Sequence, residues 1–517
     1  MHIPSRYNLT AALVDEPLTR DRAASAVAIE CGERSITYVG LADLINRAGR
    51  ALLALGVARE ERVAIVLPDS PEFVAAFLGA IKIGAVAVPC STFLGAADYR
   101  YFLSESHARV LVTTTELLAR MAPGTWPETR GVAVTTVLVT DQAHDDGLTQ
   151  SWAGRLAGSS SALAAADTHK DQPAFWLWTS GSTGEPKAAV HLHQDAPWCF
   201  DGYGQGVLGM TAADRTFSAA KLFHAYGLGN ALFFPFWSGA TTILLPGRAT
   251  PDAAFATIHH ARPTIFFGVP TLFASMLAVE GAERQFDLRS LRCAVSAGEP
   301  LPAELFAQWR ARFGTEILDG LGSTELLHMY LSARPGRVKP GSCGWQVDGY
   351  DVKIVNDQGQ EVAAGEVGDL IVKGPSTAIM YWNRRDQTKQ KMRGEWFVSG
   401  DKYSVDADGY FWYAGRSDDM FKVAGEWVSP VEIERVITLH AAVADCAVVP
   451  WAEPSGVLKP KAFVVVREGR AGTPDLASEI QAFVREHAAH YKCPRAIEFR
   501  DELPRTATGK LQRYKLR

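Results

Sequence analysis

A turn that is rich in glycine and hydroxyl side chains separates two apolar runs of this sequence. It extends from Thr179 to Lys187 and reads Thr-Ser-Gly-Ser-Thr-Gly-Glu-Pro-Lys. Glycines let backbone N–H groups approach phosphate oxygens, and the hydroxyls and the lysine ammonium add further donors. Strands are predicted over 175–178 and 188–191, on either side of the turn. The sequence therefore predicts a phosphate-binding turn between two strands.

The spacing of this turn differs from that of nucleoside triphosphatases. In their motif a lysine directly follows the second glycine and a helix begins at once, whereas Glu185 and Pro186 precede Lys187 here. An ordinary surface loop is the competing interpretation, but it gives no reason for a lysine after so many small residues. The phosphate-binding candidates are Thr179, Ser180, Gly181, Ser182, Thr183, Gly184 and Lys187.

Composition indicates a globular protein of two or more domains. The chain has 517 residues, of which 47% are hydrophobic and 21% charged, so that large cores can form. A net charge of −5 gives no electrostatic reason to expect nucleic acid or an anionic membrane as a partner. Anionic ligands must therefore be bound by local groups.

Cysteine use and the first residues indicate a cytoplasmic protein. The seven cysteines include no Cys-x-x-Cys pair, which favours reduced thiols over a disulfide framework or a zinc site. Residues 1–20 carry acidic and basic side chains and contain no continuous apolar stretch, so no signal peptide is expected. No run approaches the roughly 18 apolar residues of a membrane span.

The first third of the chain alternates strand-like and helix-like segments. An amphipathic helix is predicted over 41–55, with Gly56 as its stop. Strands are predicted over 63–67 and 85–88, on either side of a helix over 71–83. This alternation predicts an α/β fold with a mostly parallel sheet that helices cover on both faces.

The rest of the chain predicts further layers. A connection over the surface is expected at 154–168. Buried strands of a second sheet are predicted at 242–245, 264–267 and 292–296, and shorter strands of a β subdomain at 351–355 and 369–372. An α+β tail is predicted from helices at 430–439 and 476–487 and strands at 447–449 and 462–466. We therefore expect a large N-terminal domain, residues 1–417, and a small C-terminal domain, residues 418–517.

Seven motifs occur in the order that is found in one enzyme superfamily. They are the phosphate turn at 179–187, Phe-His-Ala-Tyr-Gly-Leu at 223–228, Ser-Ala-Gly-Glu at 296–299, Asp-Gly-Leu-Gly-Ser-Thr-Glu at 319–325, Ser-Gly-Asp at 399–401, the block 415–430, and Pro-Arg-Thr-Ala-Thr-Gly-Lys at 504–510. On these motifs the chain is identified as a member of the adenylate-forming superfamily of acyl-CoA synthetases, carrier-protein adenylation domains and beetle luciferases. The segment 221–230 resembles the benzoate–CoA ligases most closely.

The resemblance implies a reaction in two steps. A carboxylate attacks the α-phosphate of ATP to form an acyl-adenylate, and the thiol of coenzyme A then displaces AMP. The first step joins two anions, so positive charge is needed at the triphosphate. The phosphate turn, Lys187 and a Mg²⁺ ion held by Thr183 and Glu325 would supply it. The structural alternative for Glu325 is a charged residue in the first turn of a helix.

The resemblance also implies an ATP-binding set beyond the phosphate turn. Its members are Ser296, Ala297, Gly298, Glu299, Asp319, Gly320, Leu321, Gly322, Ser323, Thr324, Asp401, Arg416 and Lys510. Asp401 is suited to accept hydrogen bonds from both ribose hydroxyls, and Arg416 to support it. A surface ion pair is the alternative role of these two residues.

Three residues of the C-terminal domain have implied roles in the reaction cycle. Lys510 is the implied catalytic lysine, because its point charge can follow charge that develops on either reacting oxygen. A solvated lysine in a basic tail is the alternative, since Arg505 and Arg513 are close in sequence. Asp418 is the implied hinge of a mobile C-terminal domain, and Gly425 the implied lining of the channel for the pantetheine arm of coenzyme A.

The aromatic acid is expected in a pocket whose residues match those of the benzoate ligases. They are His224, Ala225, Tyr226, Ala297, Gly322, Thr324, His328, Met329 and Lys422. His224 stands where that family more often carries phenylalanine, and Met329 where it carries isoleucine. A histidine would favour an amino or hydroxyl substituent on the ring. A contact to the nucleotide is the alternative role of His224, which we place in the catalytic set with Glu325 and Lys510.

The sequence thus predicts an AMP-forming aryl-CoA ligase for benzoate or a small substituted benzoate, such as 2-aminobenzoate (anthranilate) or a hydroxybenzoate. It would use ATP, Mg²⁺ and coenzyme A, with no nucleic acid or membrane partner, and a homodimer is a possible assembly. An enzyme that loads aryl acids onto a separate carrier protein shares the first step and is the main alternative. A non-catalytic nucleotide-binding module is disfavoured, because Lys187 and Lys510 are both present.

Overall fold

A computed structural model describes residues 1–20, 24–121, 131–142, 145, 148–179, 185–417, 419–423, 426–452, 458–505 and 511–516. Contacts within the chain divide it into two units, residues 1–352 with 372–397 and residues 353–371 with 398–517. This division assigns 398–417 to the second unit, and the predicted boundary at 417/418 stays a prediction.

The strands are, in chain order, β1 (Val27–Cys31), β2 (Arg34–Thr37), β3 (Arg62–Val66), β4 (Val86–Pro89), β5 (Val110–Thr113), β6 (Thr136–Val139), β7 (Thr149–Ser151), β8 (Pro173–Thr179), β9 (Lys187–Leu192), β10 (Arg215–Ser218), β11 (Thr241–Leu244), β12 (Ile265–Gly268), β13 (Cys293–Ser296), β14 (Ile317–Gly322), β15 (Met329–Ser332), β16 (Trp345–Gln346), β17 (Asp351–Val355), β18 (Gly368–Lys373), β19 (Met380–Tyr381), β20 (Met392–Arg393), β21 (Trp396–Val405), β22 (Phe411–Arg416), β23 (Phe421–Val423), β24 (Glu426–Val428), β25 (Val443–Ala452), β26 (Leu458–Val466) and β27 (Ala496–Phe499).

The α-helices are α1 (Glu16–Arg20), α2 (Tyr38–Ala54), α3 (Pro71–Lys82), α4 (Ala96–Ser106), α5 (Thr115–Met121), α6 (Trp152–Ala157), α7 (Asp195–Cys199), α8 (Ala225–Leu228), α9 (Phe234–Ser238), α10 (Pro251–Ala261), α11 (Pro270–Leu277), α12 (Ala282–Gln285), α13 (Ala303–Phe313), α14 (Arg385–Lys391), α15 (Pro430–Thr438) and α16 (Pro474–His487).

The first unit contains two large, mostly parallel sheets, as the alternating pattern predicts. Among the described residues, one sheet has the order β16-β15-β14-β13-β12-β10-β11-β1-β2 and the other the order β19-β9-β8-β4-β3-β5-β6-β7. The run from β14 to β1 in the first sheet is parallel, and so is the run from β8 to β7 in the second. Antiparallel strands, among them the pair β8 and β9, complete both sheets.

Two capped helices join the sheets of this unit. Helix α2 begins where the Thr37 hydroxyl accepts from the N–H of Gly40, and α3 begins at Pro71, where the Ser70 hydroxyl accepts from the N–H of Phe73. Helix α2 contacts β1 and β2, α3 contacts β3 and β4, and the two helices pack against each other. The core of this unit therefore includes a helical layer between strands of both sheets.

Some predicted boundaries differ from the structure. Helix α2 begins three residues before the predicted start at 41, because Thr37 caps it there. The prediction of a surface connection at 154–168 is wrong at both ends. Its first residues belong to α6, which the Ser151 hydroxyl caps, and Thr168 is buried, with its hydroxyl donating to the carbonyl of Tyr7.

The second unit contains the predicted α+β tail. Strands β25 and β26 pair antiparallel, and β27 pairs parallel to β26. Helices α15 and α16 pack together over a core that includes Ile433, Ile437 and Ile480. The strands predicted for a β subdomain are also present: β17, β18 and β21 are neighbours in one sheet, and β22 pairs with β21. Among the described helices, none is both long and apolar enough to cross a bilayer.

Candidate active site

The phosphate turn connects two antiparallel strands, as predicted. Strand β8 ends at Thr179 and β9 begins at Lys187, and these two residues face each other in the ladder. The base of the turn is therefore closed by strand pairing. The predicted phosphate ligands Ser180, Gly181, Ser182, Thr183 and Gly184 lie outside the described residues.

A cluster of polar side chains holds the end of this turn. The hydroxyl of Tyr101, on α4, donates to the carbonyl of Pro186 at 2.8 Å and accepts from Nη2 of Arg384 at 3.0 Å. The Arg384 guanidinium also forms ion pairs with Glu105 at 3.3 Å and Glu185 at 3.6 Å. Because Pro186 directly precedes Lys187, this cluster fixes the backbone from which the lysine extends.

Lys187 and Glu325 contact the same tyrosine. The Lys187 ammonium lies 4.8 Å from the centre of the Tyr381 ring, within the range of a cation–π interaction. The hydroxyl of Tyr381 donates to Oε1 of Glu325 at 2.6 Å, a charge-assisted hydrogen bond. Burial raises the pKa of Tyr381 well above its usual range, and the Glu325 carboxylate raises it further, so the hydroxyl stays a donor. Sequence reasoning missed Tyr381.

The Glu325 side chain is buried and has one carboxylate oxygen without a partner among the described residues. It lies in a short 3₁₀ turn, Thr324–Leu326, and is 8% exposed. Its Oε2 has no hydrogen-bond partner among the residues that the structure describes. Magnesium in nucleotide sites is bound by one or two carboxylates together with phosphate oxygens and water, and one available carboxylate oxygen fits that pattern. Within the described part of the chain, no group of three or more acidic, cysteine or histidine side chains could hold a metal.

A buried histidine, His191, contacts the backbone next to Glu325. Nε2 of His191 lies 2.8 Å from the carbonyl of Thr324, which only accepts, so Nε2 carries a proton. Nδ1 of His191 lies 2.9 Å from Oδ2 of Asp195, and both side chains are buried. Burial raises the pKa of the Asp195 carboxyl. Sequence reasoning missed this pair, which fixes the backbone carbonyl adjacent to Glu325.

Two predicted ATP motifs follow adjacent parallel strands. Strands β13 and β14 pair, with Ser296 opposite Asp319. The segments 296–299 and 319–325 therefore lie at the same edge of the sheet, where ligands bind in open α/β folds. Oδ2 of Asp319 accepts from the N–H of Leu301, and Gly298 has a φ of +89°, which favours glycine. The structure thus brings these predicted ATP residues together.

The predicted acid pocket includes a buried histidine with a fixed ring. Nε2 of His328 lies 3.0 Å from Oδ1 of Asn230, and the ring packs against Tyr203, Tyr226 and Phe234 at centroid distances of 5.0, 5.8 and 4.5 Å. Burial lowers the pKa of His328 to about 3, so the ring is neutral at pH 7. A Cβ on Gly229 would lie 2.4 Å from this ring, so only glycine fits there.

His224 differs from His328 because its ring is not held by hydrogen bonds. It precedes α8, which contains Ala225 and Tyr226, and packs against Phe223 at 4.7 Å. No ring hydrogen bond from His224 to another described residue is formed. Apolar surroundings lower its pKa to about 4, so His224 is a neutral group that can donate or accept one hydrogen bond.

A buried ion pair anchors the segment that leads to His224. Nζ of Lys221 donates to the carbonyls of Leu245 and Gly247, each at 2.6 Å, and lies 3.4 Å from Oδ2 of Asp69. Oδ1 of Asp69 accepts from the N–H of Leu222 at 2.9 Å. The start of the segment 221–230 is therefore bound by charged groups to residues that follow β11 and β3.

In the second unit, Asp401 and Arg416 face each other on β21 and β22. Nη1 of Arg416 donates to Oδ1 of Asp401 at 2.8 Å, and both side chains are mostly buried. This ion pair is compatible with both predicted roles. Lys422 belongs to β23. Asp418, Gly425 and Lys510 lie outside the described residues.

Described residues on both sides of 506–510 have fixed partners. Arg505 and Leu511 form a backbone bridge on either side of 506–510. Arg513 forms ion pairs with Glu434 at 2.6 Å and with Asp419 at 3.4 Å, and its side chain is 14% exposed. Arg513, one of the basic residues close to Lys510 in sequence, is therefore a paired and mostly buried side chain rather than a solvated one.

Comparison with known proteins gives full-length similarities. The family description "AMP-binding enzyme" matches residues 19–382, and "AMP-binding enzyme C-terminal domain" matches residues 432–510. Benzoate–CoA ligase of Thauera aromatica is 45% identical to this chain, covering 100% of the chain and 96% of that ligase. The 4-hydroxybenzoate–CoA/benzoate–CoA ligase of Rhodopseudomonas palustris is 42% identical, covering 99% and 94%. The crystal structure of the anthranilate CoA ligase AuaEII in complex with anthranoyl-AMP matches with a TM-score of 0.92 and 40% identity, covering 99% and 97%.

Proposed function

This chain belongs to the AMP-binding enzyme family, and we propose that it is an aryl-CoA ligase for benzoate or a small substituted benzoate. It is an AMP-forming acid–thiol ligase that uses ATP, Mg²⁺ and coenzyme A. A carboxylate oxygen attacks the α-phosphorus of ATP and pyrophosphate leaves. The sulfur of coenzyme A then attacks the acyl carbon of the adenylate, and AMP leaves with the shared electron pair.

The observation that carries this proposal is the continuity of the segment 319–329. It runs from the end of β14 through Glu325 to His328 and Met329. This segment therefore supplies the Glu325 carboxylate, which is suited to bind a cation beside the phosphates. It also supplies His328 and Met329, two side chains of the proposed acid pocket. Such proximity suits a reaction that joins a carboxylate to a phosphate, because both reactants must be held together.

The groups on the phosphate side have proposed roles that follow from their charge. Lys187 neutralises charge on the triphosphate, and Glu325 holds the Mg²⁺ ion together with Thr183. The ion, when bound, supplies positive charge that offsets the repulsion between the two anionic reactants. Asp401, with Arg416 beside it, accepts hydrogen bonds from the ribose hydroxyls.

The groups of the C-terminal domain have proposed roles in the alternation between steps. Lys510 stabilises charge in adenylate formation, Asp418 is the hinge, and Gly425 lines the pantetheine channel. The backbone bridge between Arg505 and Leu511 and the ion pair of Arg513 support this role for Lys510, since both ends of the segment 506–510 have fixed partners.

We propose that the acid carries an amino or hydroxyl substituent. His224 supports this, because its ring is neutral, polar and without a hydrogen-bond partner among the described residues. The relatives of this chain include ligases named for benzoate, for hydroxybenzoates and for anthranilate, so the substituent on the ring of the named acid varies among them. Lys422 completes the proposed set of acid ligands.

A panel of aromatic acids tests the proposed activity. Pyrophosphate release is measured with benzoate, 2-aminobenzoate and the hydroxybenzoates, each with and without coenzyme A. We expect release with at least one of these acids and a thioester only when coenzyme A is present. Adenylate formation without any coenzyme A thioester would favour the carrier-protein alternative, and no release with any acid would contradict the function.

The cellular setting is proposed on chemical grounds. The seven cysteines are all free, and all but Cys493 are buried, as suits a reducing cytoplasm. The homodimer stays a prediction, which sedimentation velocity would test.

A further inference from the structure

One tyrosine connects the two charged groups that serve the phosphates of ATP. Lys187 lies over the ring of Tyr381, and Glu325 accepts from its hydroxyl. We propose that Tyr381 is a positioning residue for ATP with its Mg²⁺ ion, which holds the lysine by its ring face and the carboxylate by its hydroxyl. The inference rests on the proposed function, in which Lys187 and Glu325 are the ATP and metal ligands.

The backbone holds the Tyr381 ring in a fixed place. Strand β19 pairs antiparallel with β9, with Tyr381 opposite Ala189, two residues along the strand from Lys187. The N–H groups of Ile379 and Trp382 donate to the carbonyls of Val190 and Ala188 at 3.0 and 2.9 Å. Tyr381 is 2% exposed, so the surrounding packing leaves its ring little room to turn.

The same segment also fixes Glu325 through its backbone. The N–H of Ala378 donates to the carbonyl of Glu325 at 2.7 Å, while Tyr381, three residues later, donates to its side chain. A carboxylate held at one oxygen and at its own backbone has few orientations left. Its Oε2 then points in a defined direction. This suits a magnesium ligand, because Mg²⁺ requires near-octahedral coordination.

The arrangement also keeps two opposite charges from neutralising each other. Lys187 and Glu325 bind different parts of one ring and form no ion pair with each other, although both are described. A direct lysine–glutamate pair would occupy the ammonium that the phosphates need and the oxygen that the metal needs. The tyrosine therefore supports both groups while leaving each available for ATP and its cation.

Two variants separate the two contacts of this ring. Tyr381→Phe keeps the ring face under Lys187 and removes the hydroxyl, whereas Tyr381→Leu removes both. Tyr38→Phe is the matched control, because Tyr38 is also buried and its hydroxyl also donates at 2.6 Å, to the carbonyl of Ala240 in the structural core. Melting temperatures of all three variants report any general loss of stability.

The test is equilibrium binding of ATP by calorimetry, without acid or coenzyme A, once with Mg²⁺ and once with a chelator. We expect Tyr381→Phe to weaken binding of ATP with Mg²⁺ by about tenfold, as for loss of one hydrogen bond to a charged group, and to change metal-free binding by less than about twofold. Tyr381→Leu should weaken binding in both conditions. Tyr38→Phe should leave the ratio between the two conditions unchanged.

A dependence on Glu325 completes the test. In a Glu325→Gln background, Tyr381→Phe should cause no further loss of Mg²⁺-dependent binding, since the hydroxyl acts through that carboxylate. Equal losses with and without Mg²⁺, or no loss in either, would overturn the proposal, and Tyr381→Phe decides this even if the leucine variant does not fold. Failure of the unaltered protein to bind ATP would instead contradict the proposed function.

Discussion

His224 and His328 are two neutral histidines with different constraints. His328 is held by Asn230 and by three aromatic rings, so its orientation is set before any ligand binds. His224 contacts the ring of Phe223 but makes no ring hydrogen bond to another described residue. A polar group without a partner gains most when a ligand supplies one. His224 is therefore the residue from which selectivity among substituted benzoates is expected.

Replacement of His224 by phenylalanine should change selectivity. Loss of one hydrogen bond to a ring substituent is worth roughly 0.5 to 1.5 kcal/mol, so kcat/KM for the amino- or hydroxybenzoate should fall about tenfold relative to benzoate. Benzoate is the internal control, because it has no substituent to lose. Equal losses for both acids, with weaker binding of ATP, would show that His224 contacts the nucleotide instead.

At the scale of elements, the loop from Lys221 to Asn230 is held by buried charges at its start. Burial raises the pKa of Asp69 to about 6, although Lys221 opposes this shift. The pair is nearly inaccessible, with side-chain exposures of 7% for Lys221 and 2% for Asp69. Removal of one partner leaves the other buried without its counter-charge, which is costly in a protein interior.

Lys221→Met should therefore lower stability and loosen the acid pocket. The cost to the free energy of unfolding should be about 3 to 5 kcal/mol, as for one partner of a buried pair, and KM for the acid should rise. Lys373→Met is the control, because Lys373 forms an exposed ion pair with Glu395, and loss of such a pair should change the free energy of unfolding little. Addition of Asp69→Asn to Lys221→Met should recover part of the loss. Equal effects of the two lysine variants in thermal unfolding would contradict this account.

Elements with local signals could be predicted from the sequence, and the supporting contacts of the site could not. The cap at Ser70 and the proline after it marked the start of α3 correctly. The short helix α6 was missed, because its alanines and the serines that follow resemble a linker. His191 and Tyr381 reach Thr324 and Glu325 only through the pairing of strands and the packing of distant segments. Local spacing in the sequence does not encode such long-range contacts.

At the scale of the whole molecule, the proposed reaction requires two half-reactions with different needs. Adenylate formation needs positive charge at the α-phosphate, while thioester formation needs a path for the thiol. The groups proposed for adenylate formation lie mainly in motifs of the first unit. The proposed catalytic lysine, Lys510, belongs to the second unit. A variant of Lys510 should therefore separate the steps.

Lys510→Ala should strongly slow adenylate formation and spare thioester formation from a preformed aryl-adenylate. Loss of a cation aimed at developing charge should slow the first step by about 10²- to 10³-fold. Arg505→Ala is the control, because Arg505 is close in sequence but forms an ion pair with Asp445. Single-turnover rates of each half-reaction check this, and an equal loss in both steps would argue against the assignment.

In the proposed reaction, the carboxylate of an aromatic acid attacks the α-phosphorus of ATP. The most direct measurement uses an acid from the panel labelled with oxygen-18 in both carboxylate oxygens, with mass spectrometry of the nucleotide and the phosphate products after turnover. We expect one labelled oxygen in AMP and none in pyrophosphate, because the attacking oxygen stays on the α-phosphate when the thiol displaces AMP. Label in pyrophosphate or in inorganic phosphate, or formation of ADP instead of AMP, would contradict it.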